Sequence, residues 1–370
     1  MSRRIELTQL LESFKVPFVR SSSDSLYYHC PFCEDKEGKF NVIPGANVWR
    51  CARCGAGGGV VHFVEHIKSC DREEAKQFLR SFDSSQFFEV SQDIQRKIEK
   101  ARENQEELAS EDVRNSTYER MLQLLRLREE HYSDLKRRGL SDIAIDAREY
   151  KSLPKSVKGA FNTSVPRQLI KEGFSLKGVP GFFRKDNVWC LNNISQGYLI
   201  PFRNVNGKIT NLQIRTDDPQ YGKYMSFSSS GLPHGTKVVC EAHFISKVNN
   251  PKTVYLTEGG LKGDIASFYI KKLYGKNVSF LCIPGVNNTG CLIKALEVLK
   301  SRGLTRVVDC FDMDKKGSKT VKCNENVKKA ITKIKNICEN ELKLEFSSMT
   351  WETEKGIDDY LFAQFNKGSH

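Results

Sequence analysis

Two stretches, Val254-Tyr-Leu-Thr-Glu-Gly-Gly-Leu-Lys-Gly-Asp264 and Arg306-Val-Val-Asp-Cys-Phe-Asp-Met-Asp314, decide the fold class. Each is a short apolar, β-prone run that ends abruptly in acid. Such runs are strands of an open α/β sheet, and ligands gather just beyond the carboxyl ends of those strands. Glu258 is placed at the end of the first strand, with Gly259 and Gly260 turning into a helix over Asp264 to Leu273. Asp312 and Asp314 are placed at the end of the second, where alternate spacing points both side chains to one side. Three carboxylates gathered there repel one another unless a hard divalent cation neutralises them, and an oxygen-only set suits Mg²⁺ or Mn²⁺. Any one of these acids alone reads equally as a solvated loop residue. Together, with Lys and Gly beside them, they favour the metal.

The chain of 370 residues has room for two or three domains. Its 39% hydrophobic and 28% charged content is that of a globular protein. No run of 18 apolar residues occurs, and the start Met-Ser-Arg-Arg-Ile-Glu lacks the apolar core of a signal peptide, so a cytoplasmic, membrane-free chain is expected. In that compartment clustered cysteines among the 12 read as metal ligands rather than disulfides. The net charge of +13 calls for a polyanionic partner. With no basic amphipathic anchor or lipidation signal, nucleic acid is preferred to a membrane surface.

Residues 1–80 read as one unit built on Cys30-x2-Cys33, seventeen residues, then Cys51-x2-Cys54. That spacing fits a four-thiolate zinc ribbon, whose metal stabilises a module too small to stand on apolar burial alone. His29, His62 and His66 are nearby rivals, but four cysteines complete the site. Lys36, Lys39, Arg50 and Arg53 are candidates for phosphate contacts. Phe40 and Trp49 are either stacking surfaces for a single strand or the ribbon's own core.

Residues 81–115 are polar and charged, an exposed helix or connector. Residues 116–250 begin with helices, one closed by Gly139 with Ser141 capping the next. Strands follow, with an Asn206-Gly207 hairpin turn. Arg203, Arg215 and Lys223 lie among aromatic and apolar residues there, which favours a basic nucleic-acid surface over ordinary strand polarity. Residues 251–370 carry the acidic strands, a buried strand at Ser279–Ile283, a helix Leu292–Arg302, a long basic helix, and late strands at 342–346 and 349–351. The expected fold class is α/β (α+β overall).

Three segments carry a resemblance. Cys30-Pro-Phe, the Lys39-Phe40 hairpin and Trp49-x-Cys-x-x-Cys-Gly-x-Gly-Gly resemble the zinc ribbon of bacterial and phage (DnaG-like) DNA primases, many of which have histidine where Cys33 stands. Ile200-Pro-x-Arg203, the glycine turn, the strand ending at Arg215 and Lys223-Tyr-x-Ser resemble their basic subdomain. Glu258-Gly followed by Asp312-x-Asp314 resembles the TOPRIM domain of primases and topoisomerases. Lys355-Gly-Ile-Asp-Asp resembles its closing motif, where Asp358 or Asp359 adds a carboxylate or caps a helix.

The resemblance implies template-directed synthesis of short RNA primers on single-stranded DNA from ribonucleoside triphosphates. Glu258, Asp312 and Asp314 would hold two Mg²⁺ or Mn²⁺ ions, Arg203, Arg215 and Lys223 would bind template or triphosphate, and Lys262 and Lys315 would neutralise developing charge. No Gly-x4-Gly-Lys-Ser/Thr loop occurs, so a helicase partner would be a separate protein, as in a compact phage or mobile-element primase. A non-catalytic single-strand-binding protein with a degenerate TOPRIM fold, and a TOPRIM nuclease, are the alternatives.

Overall fold

The computed structural model describes residues 5–21, 25–33, 35–44, 46–83, 105–156, 160–218, 223–286, 288–316, 323–352 and 354–368. Most of the expected connector (84–104), Tyr221 and Lys319 lie outside the described residues. The chain divides into two compact units, one drawn from residues 1–106 and 230–236, the other from 107–229 and 237–370. Among the described residues no helix is long and apolar enough to cross a membrane.

In the first unit, α1 (Leu7–Ser13) precedes β1 (Phe18–Ser21), β2 (Leu26–Tyr28), β3 (Phe40–Ile43), β4 (Val48–Cys51) and β5 (Gly57–Gly59), and then come α2 (Val60–Lys68) and α3 (Arg72–Ser81). The strands pair antiparallel in chain order. Alternation along them turns Leu26, Tyr28, Phe40, Val42, Trp49 and Cys51 inward against Leu10 of α1 and Phe63 of α2. Phe40 and Trp49 stack on each other, centroids 5.1 Å apart and planes 18° apart, and both are buried. They are the ribbon's core and present no face to a nucleic acid base.

The second unit opens with α4 (Glu111–Leu124), α5 (Glu129–Arg137), α6 (Asp142–Arg148), β6 (Lys151–Ser152), α7 (Ser164–Lys171) and the hairpin of β7 (Phe182–Lys185) with β8 (Val188–Leu191). The Ser141 hydroxyl caps α6, accepting from the Ala144 N–H at 3.3 Å. β9 (Gly197–Arg203), β10 (Ile209–Thr216) and β11 (Tyr224–Ser226) join β6 in an antiparallel sheet of order β11-β10-β9-β6.

A second sheet follows: β12 (His243–Ile245), β13 (Thr253–Glu258), α8 (Gly260–Tyr274), β14 (Ser279–Ile283), α9 (Leu292–Ser301), β15 (Arg306–Asp309), α10 (Glu325–Asn336), β16 (Glu345–Ser348) and α11 (Ile357–Gly368). Its order is β12-β14-β13-β15-β16, parallel except for β12. β14 is buried throughout because both faces are covered. Phe280 and Cys282 pack with Ile265 and Tyr269 of α8 and Leu361 of α11. Leu281 and Ile283 pack with Leu296 of α9 and Ile334 of α10. The helix after β13 therefore lies on one face, and those after its neighbours β14 and β15 on the other. That reversal opens a crevice at the carboxyl end of β13, where Glu258 stands.

Three local expectations change. The helix α8 starts at Gly260 rather than Asp264, since its first turn needs no side-chain cap. The late strand covers Glu345–Ser348, so residues 342–344 and 349–351 are not strand; Met349 N–H donates to Asp309 O at 2.8 Å. β15 ends at Asp309, so Asp312 and Asp314 are not on a strand. The Asp309 carboxylate accepts from Phe311 N–H at 2.8 Å, which bends the chain into a 3₁₀ turn over Met313–Lys315.

Candidate functional site

The two knuckles of the ribbon bring Cys30, Cys33, Cys51 and Cys54 together, with all four sulfurs within 4.8 Å of one another. Cys30 Sγ and Cys54 Sγ are 3.9 Å apart, as are Cys33 Sγ and Cys51 Sγ. A tetrahedron with Zn–S near 2.3 Å has edges of about 3.8 Å, so the cluster fits a zinc ion. Phe32 N–H donates to Cys30 Sγ at 3.4 Å, as a thiolate ligand requires. His62 and His66 lie outside the cluster, His66 Nδ1 contacting His62 O at 2.9 Å. Lys36, Lys39, Arg50 and Arg53 are exposed on this unit.

In the second unit the crevice collects four carboxylates. Glu258 ends β13, and Gly259 turns the chain with φ +84°, a conformation other residues resist. A Cβ on Gly263 would stand 2.2 Å from Cys282 Sγ, so the bare glycine lets α8 lie close on β14. The 3₁₀ turn carries Asp312 and Asp314. Met313 N–H donates to Lys355 O at 2.9 Å, which ties the start of α11, and with it buried Asp358, to that turn.

Two lysines answer these acids. Lys262 Nζ pairs with Asp312 Oδ1, and Lys355 Nζ lies 3.1 Å from Asp314 Oδ2 and 3.9 Å from Asp312 Oδ2. Burial pushes the Glu258 carboxyl up; Lys262 opposes this and Asp312 adds to it. Burial pushes Asp358 up to about 6, with Lys262 opposing and Asp359 and Asp312 adding. The Lys262 ammonium is disfavoured by burial, yet Asp312 and Asp358 hold it above an ordinary lysine.

Within direct ion-pair distance only Lys262 and Lys355 offset the four carboxylates. Asp314 Oδ1 and Asp358 Oδ1 are buried without a hydrogen-bond partner, so an oxygen-only site has ligand atoms to spare. The acids are set wider than the cysteines: among the described residues no three of them offer oxygens all within 4.8 Å.

The structure gives Lys315 a task other than facing this cleft. It is buried, donating to Asp309 Oδ2 at 2.9 Å and Met349 O at 2.8 Å, with the Trp351 ring 5.6 Å away. Ser348 Oγ also donates to Asp309 Oδ2 at 3.0 Å, so this buried pair staples β15 to the end of β16.

Nor do the three basic residues stay together. Arg215 and Lys223 flank the Tyr224 ring, at 5.1 and 5.7 Å from its centroid. Desolvation by the surrounding protein pushes the Lys223 ammonium down; Arg215, Arg138 and Lys262 push the same way, and Asp358 opposes. These cations therefore share one electrostatic neighbourhood with the carboxylates. Arg203 does not: Tyr198 is the register partner of Arg215, and Arg203 is five residues further along β9, roughly 17 Å at about 3.3 Å per residue. There it pairs with Glu149 and donates to Gly207 O at 3.0 Å.

Arg138 and Lys355 belong to the site but were not singled out from sequence. Arg138 follows α5, held by Asp134 Oδ2 at 3.0 Å, and only the Gly139 stop beside it marked the place. Lys355 stands in the very motif that pointed to Asp358.

Residues 1–101 match the model of the CHC2 zinc finger family, and residues 247–367 match that of a domain of unknown function, DUF3854. No curated protein matches the sequence. Among solved structures, the crystal structure of the Aquifex aeolicus primase (zinc-binding and RNA polymerase domains) is similar at a TM-score of 0.50 and 15% identity, over 98% of this chain and 81% of that one. The RNA polymerase domain of Mycobacterium tuberculosis primase DnaG, in complex with a double-stranded DNA oligomer bearing a 6-nucleotide overhang, is similar at a TM-score of 0.50 and 12% identity, over 70% of this chain and 79% of that one. At such identities the likeness is one of fold. It bears out the resemblance drawn from the sequence: this is a mixed α/β chain with an N-terminal zinc ribbon, folded like the zinc-binding and RNA polymerase domains of DnaG-type primases.

Proposed function

We propose that the protein is a DNA primase, a nucleotidyltransferase that makes short RNA primers on single-stranded DNA from ribonucleoside triphosphates. The observation that carries this reading is the joint neighbourhood of Glu258, Asp312, Asp314 and Asp358 with the cations Lys262, Arg138, Arg215 and Lys223, at the switch point of a parallel sheet. Glu258, Asp312, Asp314 and Asp358 would hold a divalent ion, which would supply Lewis acidity toward a 3′-hydroxyl and a departing pyrophosphate. Lys262 and Lys355 hold Asp312 and Asp314 in place and offset part of the cluster's charge. Arg138, Arg215 and Lys223 supply positive charge for triphosphate or template beside it. The ribbon's exposed Lys36, Lys39, Arg50 and Arg53 suit phosphates of the template strand. Both solved primases named above lend fold alone, so activity rests on the residues.

The test is synthesis from ribonucleotides on unprimed single strands with Mg²⁺ and with Mn²⁺. Wild type should give product, and Glu258→Gln should give none while still binding DNA. Absence of product from the wild type on varied templates would leave the single-strand-binding alternative. Cleavage of labelled strands in Mg²⁺ alone would move the reading to a nuclease.

A further inference from the structure

We propose that a second cleft on the same unit, apart from the carboxylates, binds a phosphate group of a nucleotide. The cleft, about 600 Å³, lies between the end of β9 with its hairpin, the edge strand β12 with the segment after it, and the ends of α6 and α9. Glu258, Asp312, Asp314 and Asp358 do not line it; Arg148, Arg203 and Arg302 do, with Asp264 beside Arg148. Of these arginines only Arg203 was singled out by the primase resemblance, and the carboxylates of the proposed active site take no part in the cleft.

The three guanidinium groups are held but not neutralised as a set. Arg148 Nε lies 2.9 Å from Asp264 Oδ1, with Nη2 donating to Ser267 Oγ at 2.8 Å, and Arg203 pairs with Glu149. Arg302 has only neutral partners among the described residues: Nη1 donates to Val205 O at 2.7 Å and Nη2 to Asn206 Oδ1 at 2.5 Å. These contacts fix the guanidinium plane and leave its charge uncancelled.

His243 forms part of the buried floor of the cleft. Its Nδ1 accepts from Arg203 N–H at 2.9 Å, so the neutral ring carries its proton on Nε2. The side chain is 3% exposed, and its Nε2 is turned toward the buried Asp264 carboxylate, 3.7 Å from Oδ1. Guanidinium forks match the oxygens of phosphate, and the volume suits a nucleotide rather than a bare ion. The phosphate can come from a free nucleotide or from the backbone of a strand, and the two are separable.

Binding of ATP, inorganic phosphate and a short oligothymidylate is measured by titration calorimetry on the full chain, without added divalent cation. The comparison is made in the wild-type and Arg215→Ala backgrounds, so that phosphate held beside Tyr224 is not counted. Arg302→Gln removes the uncancelled charge. Asn249→Asp with Asn250→Asp adds two negative charges on exposed side chains lining the same cleft, with no packed group removed. Both should weaken a phosphate ligand roughly tenfold or more, the range of a lost charge-assisted contact. Losses for ATP and phosphate assign a free nucleotide; a loss confined to oligothymidylate assigns a strand backbone. Unchanged affinity for all three probes in the folded Asn249→Asp/Asn250→Asp chain, or no binding of any probe by the wild type, overturns the site.

Discussion

Asp358→Asn should make the second unit more stable at neutral pH. The carboxyl is buried, its Oδ1 lacks a hydrogen bond, and burial lifts its pKa from 3.8 to about 6. Between those values the folded chain holds a proton that the unfolded chain has lost, so stability falls as pH rises through the window. A lift of about 2 units at 1.36 kcal/mol each is about 3 kcal/mol, fully exacted above the folded pKa. For a unit of this size that corresponds to a gain of roughly 6–12 °C in Tm. Differential scanning fluorimetry without divalent ions should find the gain at pH 7.5 and find it largely gone near pH 4. Adding Mg²⁺ should then raise the wild-type Tm more than the variant's, because the ion binds only the folded chain and has lost a ligand in Asp358→Asn. Equal Tm values at pH 7.5, or the same gain at both pH values, would refute the argument from burial.

Cys51→Ser should release zinc and unfold the ribbon, leaving the Tm of the second unit in place, because metal binding is folding energy only for the small module; metal analysis with unchanged zinc would disprove the ligand set. Gly263→Ala drives a Cβ into Cys282 Sγ and should cost about 1–3 kcal/mol by overpacking, recovered in good part by Cys282→Ala; a denaturant melt of the double variant checks this. Arg215→Ala and Lys223→Ala should each lower the slope of log affinity for single-stranded DNA against log salt by about 0.7, the share of one phosphate contact. A wild-type slope in both would return them to ordinary surface charge.

What the sequence made legible follows from how local each signal is. Zinc ligands are read from spacing because both knuckles are short-range, and the apolar runs at 254–258 and 279–283 are strands because they bury themselves whatever surrounds them. The acids after β15 show the limit. Alternation separates Asp309 from Asp312 and Asp314 but does not say which side is interior, and here one is an internal staple and two are in the crevice. The difference lies in Lys315 and Ser348, and Ser348 sits on a strand far along the chain. Phe40 and Trp49 had two readings from sequence, and only the packing of Phe32 and Phe63 around them decides for the core. Arg203 and Arg215 were grouped because both end basic strands in one subdomain. In an antiparallel pair, however, residues near the ends of successive strands lie at opposite ends of the hairpin, so the motif that names both arginines also separates them. That separation leaves Arg215 beside the carboxylates and sends Arg203 to a cleft with charges of its own. Two anion-attracting regions on one unit are thus a consequence of strand direction, which residue type alone does not encode.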